Sequence, residues 1–240
     1  MTLPIAILAG GLGTRLGPLT ADRPKILVEV AGRPFVFHQL DLLRASGIRD
    51  VVFCVGHQGD QIVGAVEDGH AFGMRVRYSH DGPIALGTGG AIHRALPLLG
   101  PVFFVLYGDS YLRCDYTAMA KSFARFANDC DGMMAVLRNR NRWDRSNIHF
   151  ADHRIVEYDK LSPKANMDYI DYGISIFKRE AIAAYPAEAA FDLGEVCGAL
   201  ARTGRLAGYE ATQRFYEIGS PAGLADTAAL LTARARDDDH

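Results

Sequence analysis

Apolar residues occur along the first half of the chain in short runs, with amphipathic stretches between them. Several of these runs lack alternation of apolar and polar residues, which is typical of strands that are covered on both faces. The runs predict strands at 4–9, 50–56, 74–80, 101–109 and 132–139. The stretches between them predict helices at 34–46, 58–67, 88–99 and 115–129. Because alternating strands and helices are typical of right-handed βαβ units, we expect an α/β fold with a central, largely parallel sheet.

The pattern changes after about residue 140. Residues 146–160 predict a β-hairpin with Asp152 and His153 at its turn, and residues 167–180 predict a long strand that leads into a helix. The remaining pattern predicts a helix at 191–203, a strand at 206–210 and a last helix at 221–235. We interpret the hairpin and the long strand as an insertion that carries a second half-site.

The composition is that of a globular protein. The chain has 240 residues, of which 49% are hydrophobic and 22% are charged, so it contains ample apolar material for a sizeable core. We expect a single domain at 1–235, divided into a first half at 1–140 and a second half at 141–235. Residues 236–240, which end in "DDDH", are expected to form a frayed tail.

Charge and cysteine usage argue against several classes of partner. The formal net charge of −2 lacks the basic excess of a nucleic-acid binder. The four cysteines are scattered without a C-x-x-C spacing, as is typical of reduced thiols in an intracellular protein. Apolar runs stay well short of the about 18 residues that a membrane span needs, and the first residues lack a basic signal segment. We therefore expect a cytoplasmic protein with no membrane or nucleic-acid partner.

A glycine-rich stretch, "LAGGLGTRLGPLTADRPK", follows the first predicted strand at residues 8–25. A dinucleotide fingerprint fails here because Leu16 stands where the third glycine is needed, and a Walker-type loop fails because no G-K-[ST] follows. Pro18 and Pro24 oppose a regular helix, so we predict an extended loop. Freed backbone amides together with Arg15 and Lys25 would suit a polyphosphate, which indicates a nucleoside triphosphate.

Several motifs together resemble one enzyme family. Residues 8–25 are similar to the signature of the sugar-1-phosphate nucleotidyltransferases, also called nucleoside-diphosphate-sugar pyrophosphorylases. Four shorter motifs match in the remainder of the chain: "LGTGGA" at 86–91, "YGDS" at 107–110, "DYGISIF" at 171–177 and "FYEIGSP" at 215–221. The resemblance spans about residues 3–225. It implies a Rossmann-like three-layer α/β/α fold with a mixed, mainly parallel central sheet and a small β insertion for the acceptor.

The resemblance also implies a reaction and a nucleotide site. An oxygen of a sugar 1-phosphate would attack the α-phosphorus of a nucleoside triphosphate, and pyrophosphate would leave. Arg15 would contact the β- and γ-phosphates and Lys25 the α-phosphate, while Asp109 and Glu217 would hold Mg²⁺. The remaining nucleotide contacts are expected from Leu8, Ala9, Gly10, Gly11, Gly13, Thr14, Gly87, Thr88 and Gly108. The second glycine-rich turn could hold ribose, base edge or phosphate at the start of its helix.

The acceptor residues follow from the same resemblance, which implies that 1–140 is the nucleotide-binding half and 141–235 the sugar-phosphate-binding half. Lys160 in "IVEYDK" would hold the sugar phosphate, and either Glu157 or Asp159 would be the acid that holds sugar hydroxyls. Asp171 stands where many family members have asparagine, and Gly173 would let the sugar approach the backbone.

The base and the sugar stay open at this stage. Many uridylyl and thymidylyl members carry a glutamine shortly before the second glycine turn, and "HDGPIALGT" has none, so GTP is favoured. Taken together, the motifs resemble those of the heptose 1-phosphate guanylyltransferase branch, which implies a heptose or hexose 1-phosphate as acceptor. The alternatives are a uridylyl- or cytidylyltransferase and a non-catalytic, nucleotide-sensing regulatory subunit. A dinucleotide-dependent oxidoreductase is opposed by the broken fingerprint. A homo-oligomer is possible.

Overall fold

The structure is a computed structural model that describes residues 3–11, 13–82, 85–187 and 189–238. Its strands are β1 (Ile5–Leu8), β2 (Glu29–Val30), β3 (Arg33–Pro34), β4 (Asp50–Val55), β5 (Arg75–His80), β6 (Val102–Tyr107), β7 (Ser110–Tyr111), β8 (Gly132–Arg138), β9 (Ile148–Ala151), β10 (Arg154–Tyr158), β11 (Tyr169–Lys178), β12 (Leu206–Ala211) and β13 (Tyr216–Glu217). Its helices are α1 (Phe35–Ala45), α2 (Gly59–Val66), α3 (Gly87–Ala95), α4 (Tyr116–Phe126), α5 (Arg179–Ala183), α6 (Leu193–Arg202) and α7 (Pro221–Asp238).

The described residues form a nine-stranded mixed sheet in the order β5-β4-β1-β6-β11-β8-β12-β10-β9. The first four strands in this order are parallel. Strand β11 lies between β6 and β8 and is antiparallel to both, while β12 is again parallel to β8. The hairpin β9–β10 extends the same sheet, because β10 pairs with β12 and β9 also pairs with β11. The sheet is therefore mixed, with a continuous parallel part over its first four strands and a further parallel pair, β8 and β12, among antiparallel neighbours, and the expected insertion continues the sheet.

The sheet is buried on both faces, which explains the strands without alternation. Ile5, Ala6 and Ile7 in β1 are all fully buried. Ile5 and Ile7 pack in one core cluster with α1, α2 and α4, whereas Ala6 packs in a second cluster with α3, α5 and α6. The two faces of the sheet thus each have their own helices and their own core.

Most predicted elements are confirmed to within a few residues. The hairpin turn lies at Asp152 and His153, whose φ angles of 48° and 58° are both in the left-handed region. Helix α6 begins with a capping box, since Oδ1 of Asp192 accepts from the Gly194 amide and Oε1 of Glu195 accepts from the Asp192 amide. Helix α7 continues to Asp238, beyond the predicted end at 235, and residues 239 and 240 of the predicted tail lie outside the described residues.

The prediction of an extended loop after the first glycines is wrong. Residues Thr14–Thr20 and Lys25–Leu27 form 3₁₀ turns, with Gly17 breaking the first of them at φ 53°. Proline opposes a long α-helix but fits short turns, because they contain few of the amide hydrogen bonds that proline removes. The hydroxyl of Thr20 donates to the carbonyl of Gly13 at 3.0 Å and so closes the loop on itself.

Across the described part of the chain, every helix is too short or too polar to cross a membrane.

Candidate active site

A cleft of about 330 Å³ opens at the carboxyl ends of the parallel strands. Ligands of open α/β sheets bind at this edge, because the loops that follow neighbouring strands meet there. Eight of the residues predicted to bind nucleotide or metal line the cleft: Leu8, Ala9, Gly10, Gly11, Lys25, Gly87, Thr88 and Asp109. Gly13, Thr14, Arg15 and Gly108 lie outside this lining, in the loop and strand end beside it.

Close backbone approaches explain two of the glycines. The amide of Gly108 donates to the carbonyl of Leu8 at 2.9 Å, and a Cβ on Gly108 would lie only 2.5 Å from that oxygen. A Cβ on Gly10 would lie 2.9 Å from Oδ2 of Asp81. The first contact brings the end of β6 against β1, and the second brings the glycine-rich loop against Asp81.

Lys25 and Asp109 form the central ion pair of the site. Nζ of Lys25 lies 2.6 Å from Oδ2 of Asp109, and the two side chains are only 16% and 21% exposed. The two residues are 84 positions apart in sequence. The turn Lys25–Leu27 and the end of β6 bring them together, so the loop cation and the strand-end acid predicted from the sequence belong to one site.

Two further charged groups converge on the same place. A Cβ on Gly219 would lie 2.9 Å from Oδ2 of Asp109, 2.7 Å from Oε2 of Glu217 and 3.3 Å from Nη2 of Arg15. The pairing of β7 with β13 causes this convergence, because it sets Glu217 opposite Ser110 and lets the Ile218 amide donate to the Asp109 carbonyl at 2.9 Å. One arginine and two carboxylates therefore surround a residue that has no side chain.

The carboxylate of Glu217 already has partners in its own turn. The Gly219 amide donates to its Oε2, and the Ser220 hydroxyl donates to its Oε1 at 2.6 Å. These bonds fix the rotamer of a side chain that is one methylene longer than aspartate.

The donor set fits a magnesium ion. Asp109 and Glu217 offer hard carboxylate oxygens around one point, and Mg²⁺ in proteins usually takes one or two carboxylates together with substrate phosphates and water. Within the described ranges no group of three His, Cys, Asp or Glu side chains forms a closed metal cage. An ion at this place would therefore rely on the substrate for part of its coordination.

The start of α3 differs from the expectation of freely available groups. Gly87 has a φ of 70°, and a Cβ there would lie 2.6 Å from the Phe191 carbonyl. The amide of Gly89 donates to the same carbonyl at 3.0 Å, and the Thr88 hydroxyl accepts from the Leu193 amide at 2.8 Å. These groups anchor α3 to the segment before α6. Gly87 and Thr88 still line the cleft, but the Gly89 amide and one acceptor site of the Thr88 hydroxyl are used within the protein.

Lys160 and Asp171 meet beside the cleft. Nζ of Lys160 lies 3.9 Å from Oδ2 of Asp171 and 3.5 Å from the hydroxyl of Tyr107, which itself lines the cleft. The hydroxyl of Tyr158 lies 3.4 Å from the same Asp171 oxygen. The amide of Gly173, which has a φ of 101°, donates to the other Asp171 oxygen at 2.9 Å. The structure thus brings three of the predicted acceptor residues together.

The two alternative acids in this segment have other partners. Glu157 forms an ion pair with Lys164. Oδ1 of Asp159 accepts from the amides of Ser162 and Leu161 at 2.9 Å each, and these backbone hydrogen bonds lower the pKa of Asp159. Asp171 is thus the carboxylate beside Lys160, and whether Glu157 or Asp159 holds sugar hydroxyls stays a prediction.

Sequence reasoning missed Asp81, which lines the cleft just after β5. Its Oδ1 is buried and has no hydrogen-bond partner among the described residues. Loss of solvation raises the pKa of this carboxyl, although the positive charges of Arg94 and His80 act in the opposite direction. The available signal was an acid directly after the predicted strand 74–80.

Two tyrosines beside Lys160 were also missed. Nζ of Lys160 lies 5.5 Å from the ring centre of Tyr107 and 5.6 Å from that of Tyr158. Burial raises the pKa of both phenols well above their ordinary value, so both keep their proton at neutral pH. They can therefore donate hydrogen bonds while their rings contact the lysine.

Comparison with known proteins agrees with this geometry. The family model described as nucleotidyl transferase matches residues 5–234, and the chain belongs to that family. Within the family it is a sugar-1-phosphate nucleotidyltransferase.

Individual relatives differ in the base they are named for. The chain is 31% identical over 236 residues to N-acetylmuramate alpha-1-phosphate uridylyltransferase of Caulobacter vibrioides, covering 95% of this chain and 96% of the relative. It is 29% identical over 230 residues to the protein of the same name from Neisseria meningitidis serogroup B, covering 95% and 97%. The crystal structure of HddC from Yersinia pseudotuberculosis complexed with GMP-PN has a similar fold, with a TM-score of 0.79 at 24% identity, covering 96% of this chain and all of that one.

Proposed function

We propose that the protein transfers a nucleotidyl group from a nucleoside triphosphate to a sugar 1-phosphate in a magnesium-dependent, in-line displacement. The observation that carries the proposal is the position of the charged cluster. Lys25, Asp109, Glu217 and Arg15 lie at the end of the nucleotide cleft, and Tyr107 connects this cleft to Lys160. The two substrates would therefore meet at this cluster of two cations and two carboxylates.

Each group has a defined task in this reaction. A phosphate oxygen of the sugar 1-phosphate forms a new bond to the α-phosphorus while the bond from that phosphorus to the bridging oxygen breaks, which releases pyrophosphate. Lys25 neutralises charge on the α-phosphate oxygens, and Arg15 stabilises the leaving pyrophosphate. Lys160 orients the acceptor phosphate. Asp109 and Glu217 would hold Mg²⁺, which when bound neutralises charge on the phosphate oxygens.

We further propose GTP as the preferred nucleotide, with a heptose or hexose 1-phosphate as acceptor. Asp81 lines the cleft, and an ionised carboxylate accepts hydrogen bonds but donates none, so after its buried Oδ1 turns toward the cleft Asp81 would suit a base edge that presents two adjacent N–H donors. Guanine presents such an edge at N1 and N2. Uracil presents a single N–H between two carbonyl oxygens, and a second carboxylate oxygen would face one of these carbonyls.

A uridylyltransferase is the second candidate. It is favoured by the two full-length relatives named above, which are both described as uridylyltransferases. The raised pKa of Asp81 supplies a structural reason to test it, because a protonated carboxyl has one donor and one acceptor and so matches the uracil edge.

The test is a matrix of the four nucleoside triphosphates against a panel of sugar 1-phosphates, read by release of pyrophosphate. We expect release only when both substrates and Mg²⁺ are present, and we expect the largest kcat/KM with GTP. A larger kcat/KM with UTP would replace the guanylyl proposal by the uridylyl one. Absence of release with every pair would contradict the transfer reaction itself. Cytoplasmic location and a homo-oligomeric state stay predictions.

A further inference from the structure

Gln39 lies on the buried face of α1, where a polar residue is unexpected. It is 1% exposed, and it shares this face with Val36, Leu40 and Leu43, which are all fully buried. Long polar side chains are rarely buried to this extent unless their hydrogen-bonding groups have partners. The partners of Gln39 therefore indicate why it is present.

The side-chain amide of Gln39 donates to the backbone around Asp109. Nε2 lies 2.8 Å from the carbonyl oxygen of Ser110 and 3.4 Å from the carbonyl oxygens of Gly108 and Tyr107. An amide nitrogen has two hydrogens, so one can be directed at Ser110 and the other shared between the two remaining carbonyls. The three acceptors stand on both sides of Asp109 in the chain.

The other backbone groups of this segment are held from different directions. The Gly108 amide donates to Leu8 in β1, and the Asp109 carbonyl accepts from Ile218 next to Glu217. Gln39 supplies the connection from α1. The peptide that carries Asp109 is thus fixed from three elements, and its carboxylate is directed at Lys25 and at the point it shares with Glu217.

The two ends of the Gln39 side-chain amide differ in their hydrogen bonding. Oε1 is buried and has no hydrogen-bond partner among the described residues. A buried acceptor without a partner is unfavourable, so its presence is accounted for by the three bonds that the other end of the amide makes.

We propose that Gln39 is a positioning residue that fixes the backbone on both sides of Asp109 and thereby sets the affinity of the site for its divalent metal. This inference rests on the proposed function, in which Asp109 is a metal ligand. Residues that orient a metal ligand commonly change metal affinity or activity by about 10-fold or more when they are replaced.

The test compares three variants of the full chain. Each variant is titrated into a Mn²⁺ solution, once alone and once together with GTP. The Mn²⁺ that stays free is measured by electron paramagnetic resonance. Gln39→Met keeps the length of the side chain and removes both donors, and Gln39→Glu leaves at most the single donor of a protonated carboxyl. Leu43→Ala is the matched control, since it removes packing from the same buried face one helical turn further along. Thermal unfolding is recorded for each variant, and pyrophosphate release is assayed well below every unfolding midpoint.

We expect Gln39→Met and Gln39→Glu each to raise the Mn²⁺ dissociation constant about 10-fold, and to raise the Mg²⁺ concentration for half-maximal rate in parallel. We expect Leu43→Ala to lower the unfolding temperature at least as much and to leave both metal constants unchanged. If Gln39→Met does not fold, Gln39→Glu alone decides the question.

Unchanged Mn²⁺ affinity in the Gln39 variants would overturn the proposal, and so would an equal loss in Leu43→Ala. Wild-type protein that binds no Mn²⁺ with or without GTP would overturn both this proposal and the metal site. Wild-type protein that binds Mn²⁺ but releases no pyrophosphate would overturn the proposed function alone, while the comparison between variants would still decide the role of Gln39.

Discussion

Lys25 is the cation closest to the reacting centre in this account. Its Nζ lies 2.6 Å from the Asp109 carboxylate, and a bound α-phosphate would compete for the same ammonium group. Because charge on the α-phosphate oxygens changes most in the transition state, Lys25→Ala is expected to lower kcat more than it raises KM for the nucleotide. Steady-state kinetics with varied nucleotide at saturating acceptor measures this difference.

Arg15 provides the comparison for Lys25. It is exposed, its Nη2 would lie 3.3 Å from a Cβ on Gly219, and it is expected to contact the leaving pyrophosphate. Arg15→Ala should therefore raise KM for the nucleotide by a larger factor than Lys25→Ala does. If both variants changed only KM and kept the parent kcat, the separate roles assigned to the two cations would be wrong.

Glu217 tests the metal site without removing Asp109. Glu217→Gln should raise the Mg²⁺ concentration that gives half-maximal rate, because an amide is a weaker Mg²⁺ ligand than a carboxylate. Glu217→Asp should keep much of the activity. A Mg²⁺ titration of Glu217→Gln that coincides with the parent titration would show that Glu217 is not a metal ligand. Its role would then be to hold the turn through its hydrogen bonds with Gly219 and Ser220.

In the proposed function Asp81 contacts the base, and this contact would link nucleotide choice to pH. Burial raises its pKa above the ordinary value, so lowering the pH from about 8 to about 5.5 increases the protonated fraction more than for an exposed aspartate. The ionised form suits guanine and the protonated form suits uracil. The ratio of kcat/KM for UTP to that for GTP should therefore rise as the pH falls, and Asp81→Asn should remove the pH dependence of this ratio. A ratio that is flat with pH in the parent protein would show that Asp81 does not contact the base.

At the scale of elements, close contacts between backbones decide where side chains are tolerated. A Cβ on Gly108 would lie 2.5 Å from the Leu8 carbonyl, so Gly108→Ala should force β6 away from β1 and destabilise the protein by about 1–3 kcal/mol. Gly64 in α2 is the matched control, since a Cβ there meets no atom of the described residues within 4 Å. Gly64→Ala should stabilise the protein by about 0.5–1 kcal/mol. Urea denaturation measures both changes, and equal effects of the two substitutions would contradict this account of Gly108.

The elements also show what a sequence pattern can predict. Buried strands such as β1, β4 and β6 are recognisable because local apolar runs specify them. The pairs β2–β3 and β7–β13 cannot be predicted from the sequence pattern, because each strand has only two residues. Strand β2 pairs with the strand that follows it, whereas β7 pairs with a strand that is distant in sequence. Strand β11 lies antiparallel between β6 and β8, and this position could not be predicted because periodicity does not encode the order of strands in a sheet.

For the whole molecule, the active site is assembled from segments that are far apart in sequence. Family motifs predict roles for Lys25, Asp109 and Lys160 because their spacing is characteristic, and in the structure Lys25 pairs with Asp109 while Lys160 contacts Tyr107 of the same cleft. The same motifs leave Asp81 and Gln39 unnoticed. Their importance arises from burial and from contacts with distant backbone, and neither property can be seen in one sequence.

The most direct test of the central claim compares pyrophosphate release by the parent protein, Asp109→Asn and Asp60→Asn with GTP, a sugar 1-phosphate and Mg²⁺. Asp109→Asn keeps the shape of the side chain but weakens both the metal ligand and the partner of Lys25, so we predict that kcat falls at least about 100-fold while the unfolding temperature changes little. Asp60, which is exposed at the start of α2, should tolerate the same change without loss of rate. Near-normal kcat in Asp109→Asn would contradict the account.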